Sequence, residues 1–320
     1  MRLFPLLLSV LPLAASAQSA PASLAERFAG MTAVTGYERA MADSVLALLP
    51  GAARDRAGNA VLRIGSGAPA RLVACALDEP GFVVGAIGAD GYLTLHRVGG
   101  RVPPLFDQQL EGQRVTVWGS RGGVPGVVAV RSVHLTRGRT TPDEPFTADN
   151  AYVDLGAATA AEVDGLGVRM LSAVALAKRP HRYGDSLLAA PSAGRRAACA
   201  ALVAAARGEG ARTARSPSGT TVIAFVVEQN LSARGLLTAA HEYGPFTETL
   251  IVDGGAHVPG AADALKPVPD TLAARAATEL GKVSRMTIGT RYTGTPVETV
   301  SLADASALAA RISEWIGGAP

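Results

Sequence analysis

The sequence predicts an α/β fold, a layered domain with a mostly parallel sheet that is interrupted by a small β-barrel-like insert. Three observations carry this. Short apolar runs flanked by breakers, such as Arg71–Leu77, Thr221–Val227 and Thr249–Val252, read as buried strands, and helically spaced segments alternate with them. Between Gly81 and Val168 the pattern changes to short strands at close spacing with almost no helical periodicity. A chain of 320 residues that is 48% hydrophobic can bury a core of this size.

In chain order, Leu24 to Leu49 shows helical spacing broken by Thr35-Gly36-Tyr37-Glu38, which predicts two helices joined by a glycine turn. Asp55 to Asn59 forms a turn before a strand at Ala60 to Ile64. The insert carries turn residues at Ala89-Asp90-Gly91, Gly99-Gly100, Glu111-Gly112 and Gly119 to Gly123. Helical spacing returns at Ala197 to Arg207, then after Ser232, and a strand is expected at Met286 to Thr290. A last helix runs from Leu302 to Ile316 with Leu308, Ile312 and Trp315 on one face.

Charged residues make up 18% of the chain and the net charge is +3, with no run of Lys and Arg, so a nucleic-acid-binding face is excluded. Arg2, the apolar stretch Leu3 to Leu13 and Ala15-Ser16-Ala17 read as a secretory signal peptide cleaved before Gln18, and predict an exported (periplasmic or secreted) protein. The apolar stretch is shorter than the roughly 20 residues of a spanning helix, so no membrane span is expected after cleavage. The expected organisation is thus 1–17 signal peptide, 18–80 and 169–320 α/β domain, and 81–168 inserted β domain. Cys75 and Cys199 lie in apolar segments; the reading favours two buried free thiols, with pairing open to an exported chain.

Arg291-Tyr292-Thr293-Gly294-Thr295-Pro296-Val297-Glu298 closely resembles the Arg-Tyr-Thr-His-Thr-Pro-Val-Glu segment of metallopeptidase family 42, the glutamyl and deblocking aminopeptidases. Further segments resemble the family in order: Thr35 to Glu38, Asp55 to Asn59, Asp78-Glu79-Pro80-Gly81-Phe82, Val98-Gly99-Gly100 and Tyr152 to Ala157. The resemblance spans about residues 24 to 315 and implies a zinc-peptidase-like three-layer α/β domain.

The resemblance also locates the family's two-metal site, and most of its ligand positions hold other residues here. The histidine of the first ligand motif falls on Ala76, the bridging aspartate on Ser192 (Gly194 if the alignment shifts by two), and the last histidine on Gly294. The glutamate pair that supplies the general base and a further ligand falls on Gln229 and Asn230, placed by Arg234-Gly235. Asp253 alone keeps a ligand residue. The replacements are neutral, as a site without a compensating cation would need. The interval from Asp253 to Arg291 is also shorter than the family pattern.

Each of these residues has a plainer reading. Asp253 would bond backbone amides at Gly254 and Gly255, Asp78 would be a hydrogen-bond acceptor beside Glu79, and Arg195-Arg196 would be a solvated helix start, with an anion site as the alternative. His96, His134, His181, His241 and His257 lack ligand spacing, and no serine-hydrolase, phosphate-loop, dinucleotide or His-Glu-x-x-His motif is present. The sequence therefore points to an exported binding or scaffold protein, with a peptide or protein ligand and without catalysis or cofactor. The alternative is a zinc- or cobalt-dependent aminopeptidase or other hydrolase with a site relocated to Asp78, Glu79, Asp253 and His257. By analogy with the family, the β insert would support a homo-oligomer.

Overall fold

The structure is a computed structural model and describes residues 20–99, 102, 106–129, 146–208, 219–256, 266–267 and 278–318. The expected signal peptide, His134 and His257 lie outside these residues. Helices α1 (Ala20–Ala29) and α2 (Arg39–Leu48) precede strands β1 (Ala53–Arg54), β2 (Ala60–Ser66) and β3 (Ala70–Ala76). The chain then builds a separate unit from β4 (Gly81–Ile87), β5 (Leu93–Val98), β6 (Arg114–Gly119), β7 (Gly122–Val128) and β8 (Tyr152–Asp154). Helix α3 (Ala160–Gly165) leads to β9 (Ala173–Leu176). The main sheet resumes with β10 (His181–Tyr183), β11 (Leu187–Ala189), α4 (Ala193–Arg207) and β12 (Gly219–Val226). It finishes with α5 (Arg234–Tyr243), β13 (Glu248–Ala256), β14 (Lys266–Pro267), β15 (Lys282–Arg291), β16 (Thr299–Ser301) and α6 (Leu302–Gly317).

The ten-stranded sheet has the order β1-β2-β12-β3-β13-β15-β16-β11-β10, with β14 pairing β15. Only its centre is parallel, β12 with β3, β3 with β13 and β13 with β15. The flanks are antiparallel, which corrects the expectation of a mostly parallel sheet: β2 runs against β12, and β16 against both β15 and β11. The physical reason lies in the connections. The seven residues from Tyr292 to Glu298 are too few for the crossover that parallel neighbours require, so β16 returns antiparallel to β15.

The central strand β3 shows why the run Leu72 to Leu77 is apolar at every position. Val73, Cys75 and Leu77 join a core with α1, α2, α4 and α6, while Leu72, Ala74 and Ala76 join a second core with α5. Both faces are covered, so the sequence does not alternate. Helix α6 is capped by Ser301, whose hydroxyl accepts from the Asp304 amide, and it ends at Gly318 in the left-handed region. No described helix is long and apolar enough to cross a membrane.

The inserted strands close on themselves in the order β4-β5-β8-β7-β6-β9 around a core of their own that includes Val84, Leu93, Val117 and Val153. The barrel extends past the expected boundary at Val168, because closure needs β9, which pairs with both β4 and β6. Its first and last strands are neighbours, with Phe82 opposite Val174, so the chain enters and leaves the barrel side by side.

Cys75 and Cys199 are joined in a disulfide, which corrects the expectation of free thiols. Cys75 faces α4 on β3, and Cys199 faces it from α4, both fully buried. The pairing follows from packing between residues 124 apart in sequence, which neither local segment reveals.

Candidate functional site

Two carboxylates come together because β3 and β13 are parallel neighbours in register, Val252 opposite Cys75. Asp253 and Asp78 therefore sit at the same edge of the sheet, where its central strands end at their C-terminal side. This is the edge at which open α/β sheets hold ligands. Helix α4 approaches closely there: a side chain on Gly194 would lie 2.3 Å from Thr290 Oγ1 and 3.2 Å from the Gly254 backbone. A carboxylate at position 194 has no room. That contact points Arg195 at the two acids.

Arg195 donates from Nε to Asp253 Oδ1 at 3.1 Å and from Nη2 to Asp253 Oδ2 at 3.3 Å. Its Nη1 donates to the Asp78 carbonyl at 2.7 Å and lies 3.6 Å from Asp78 Oδ1. Asp253 Oδ1 also accepts from the Gly254 amide at 2.8 Å. Asp78 is fully buried, and its Oδ2 accepts from Thr35 Oγ1 and the Asn230 amide, both at 2.9 Å. Burial disfavours the guanidinium charge, but Asp253 and Asp78 overcome it and hold the Arg195 pKa above its usual range.

A second cluster lies beside it. Glu79 Oε2 accepts from Lys178 Nζ at 2.5 Å and is 3.1 Å from Arg196 Nη2, while Oε1 accepts from the Ala33 amide at 3.1 Å. Arg196 has no exposed surface and Arg195 is mostly buried and paired with Asp253 and Asp78, so the expectation of a solvated Arg195-Arg196 helix start is overturned. Glu79 thus ties the segment before α2, the strand leaving the barrel and the start of α4 to one point. Burial alone would push its carboxyl up, yet Lys178 and Arg196 pull it down to about 2. Burial also lowers the Lys178 pKa, against the pull of Glu79.

A carboxyl whose folded pKa is depressed from 4.5 to about 2 contributes its full stability above pH 4.5. That contribution is lost as pH falls through 2. We expect unfolding midpoints in urea to drop between about pH 4.5 and 2, with Glu79→Gln less stable at neutral pH and flatter across this acid limb. An unchanged acid limb in the variant would show that other carboxyls govern it.

A cleft of about 260 Å³ opens at this edge between the sheet and the barrel. Phe82, Val102, Phe106 and Leu176 wall it on the barrel side. Ser192, Arg195, Asn230, Asp253, Gly294 and Glu298 face it from the α/β side. Ser192 precedes α4 in the left-handed region, and Gly294 lies in the turn before β16. The Gly294 amide donates to Glu298 Oε1 at 2.7 Å, and the Gly194 amide to Oε2 at 3.3 Å. Burial raises the Glu298 pKa, these two amides and the Arg195 charge work against the rise, and Asp253 adds to it.

The other expected positions fall nearby in the chain but not on the cleft wall. Ala76 is buried on the α5 side of β3, and Gln229 has a buried Oε1 without a hydrogen-bond partner. Asp78, Glu79 and Asp253 converge, each with a cationic partner. His96, His181 and His241 lie on β5, β10 and α5, away from one another's elements. Among the described residues no group of three or more His, Cys, Asp or Glu side chains is placed to hold a metal ion. Lys178 and Glu298 were missed by sequence reasoning. Glu298 stands inside the quoted segment, whereas Lys178 carries no local signal.

The M42 glutamyl aminopeptidase family model matches residues 58–265. The chain belongs to this family. It is 31% identical to SgcX of Escherichia coli over 181 residues, 54% of this chain and 47% of that protein. It is 28% identical to the lysyl aminopeptidase of Pyrococcus furiosus over 217 residues, 66% of this chain and 60% of that one. The match therefore spans about half to three-fifths of the length of these relatives. The TET1 peptidase of Pyrococcus horikoshii, which can assemble into a tetrahedron or a large octahedral shell, shares the fold. Its TM-score is 0.77 at 19% identity, covering 92% of this chain and 99% of that one.

Proposed function

We propose that this M42 family member is an exported, non-catalytic binding protein whose former metal site is held by a guanidinium. The observation that carries the reading is Arg195, bonded to both oxygens of Asp253 and lying against Asp78. The donor set does not fit a divalent-metal centre. A catalytic zinc takes about three protein ligands, whereas here one acid of the cleft edge is chelated by arginine and the next is buried behind it. Ala76, Ser192, Gln229, Asn230 and Gly294 offer neither imidazole nor carboxylate. With Gln229 at the base position, no side chain there would take a proton from an attacking water.

Export agrees with the buried disulfide, since paired cysteines persist in oxidising compartments. It also agrees with the apolar stretch and small-residue end before Gln18. The ligand would enter between barrel and sheet, and a homo-oligomer through the barrel is the assembly that the family relationship suggests.

Calorimetric titration of the purified full chain with zinc and with cobalt is expected to show no binding at micromolar concentration. Assays with aminoacyl and peptide substrates are expected to release no N-terminal residue. Stoichiometric zinc binding abolished by Asp253→Ala, together with chelator-sensitive hydrolysis, would replace this reading with a relocated metal-dependent aminopeptidase.

A further inference from the structure

The charges at the cleft pair off with one left over. Glu79 is matched by Lys178 and Arg196, and Asp253 and Asp78 are matched by Arg195. Glu298 remains, about nine-tenths buried, lining the cleft, with backbone amides as its bonded donors. A carboxylate accepts up to about four hydrogen bonds, so each of its oxygens retains capacity toward the cleft. Arg195 and Lys178 also act on Glu298, but the four acids Glu79, Asp78, Asp253 and Glu298 share only the three cations Lys178, Arg195 and Arg196, and one carboxylate charge in excess is costly to bury. Opposite it the barrel contributes an apolar wall in which Phe82 and Phe106 stack with ring centroids 6.2 Å apart.

We propose that the cleft binds a small organic ammonium ion, its nitrogen donating to Glu298 and its apolar part lying against Phe82 and Phe106. An anionic ligand is disfavoured because Arg195 already spends its donors on Asp253 and Asp78, and Lys178 on Glu79. The volume of about 260 Å³ suits a molecule of one ring and a short chain better than a drug-sized one. This assignment rests on the metal-free reading of the same site.

Three probes of matched shape test it: phenethylamine, phenethyl alcohol and 3-phenylpropionate, titrated into the full chain with chelator present and followed by protein NMR or calorimetry. The amine is expected to bind at least tenfold more tightly than the alcohol, and the carboxylate not measurably. Glu298→Gln should erase the preference for amine over alcohol, and Phe106→Ala should weaken both alike. Equal binding of amine and alcohol by the unmodified protein, or preference for the carboxylate, overturns the proposal whether or not the variants fold. Amine binding that appears only after zinc is added would instead sink the metal-free reading.

Discussion

Arg195→Met is expected to destabilise the protein by about 3–5 kcal/mol, the usual cost of removing one partner from a buried ion pair. The side chains of Arg195 and Asp253 are 20% and 17% exposed and that of Asp78 is fully buried, so water can screen little of the charge left behind. Methionine keeps much of the volume and removes every donor, which separates the electrostatic loss from a packing loss. Adding Asp253→Asn to Arg195→Met should recover part of the stability, because a neutral pair needs no compensation. Urea midpoints at pH 7 measure both. A loss under 1 kcal/mol in the single variant would mean that the guanidinium exchanges freely with water and does not fill the site.

How far the sequence shows this site depends on whether the information is local. The strands β3, β12 and β13 are legible because each is a short apolar run between breakers, and the barrel because its turns recur at close spacing. Strand direction is not legible: nothing in Thr299–Ser301 says that it returns against β15 until the short connection is seen to fold back. The charges at Arg195 and Arg196 read as solvent-facing from sequence, since two arginines at a helix start are ordinarily solvated. Their burial is set by Gly194 against Gly254 and by the register that places Asp253 beside β3, both long-range facts. The motif resemblance located Asp253, Ser192, Asn230 and Gly294 at the cleft, yet it said nothing of Lys178, which arrives from the strand that leaves the barrel.

Replacing Cys75 and Cys199 together with alanine is expected to lower stability by about 2–5 kcal/mol. The disulfide closes a chain segment of 124 residues, a length at which cross-linking removes much of the freedom of the unfolded chain. That segment contains the whole barrel. The bond also lies directly behind the cleft: Cys75 is three residues before Asp78 on the same strand exit, and Cys199 is one helical turn after Arg195. It therefore fixes α4 to β3 at the point where Arg195 must meet Asp78 and Asp253, and loss of the bond should loosen that meeting as well as the global fold. The two effects separate in a double-mutant cycle with Arg195→Met. A purely unfolded-state effect adds to the arginine loss without interaction, whereas a positioning effect makes the two losses less than additive by about 0.5 kcal/mol or more. Because both sulfurs are fully buried, reductant should reach them only through unfolding, so thiol titration of the native protein after brief reduction should find none and titration in urea should find both. Ready reduction of the folded protein with an unchanged urea midpoint would count against the bond as a clamp between strand and helix.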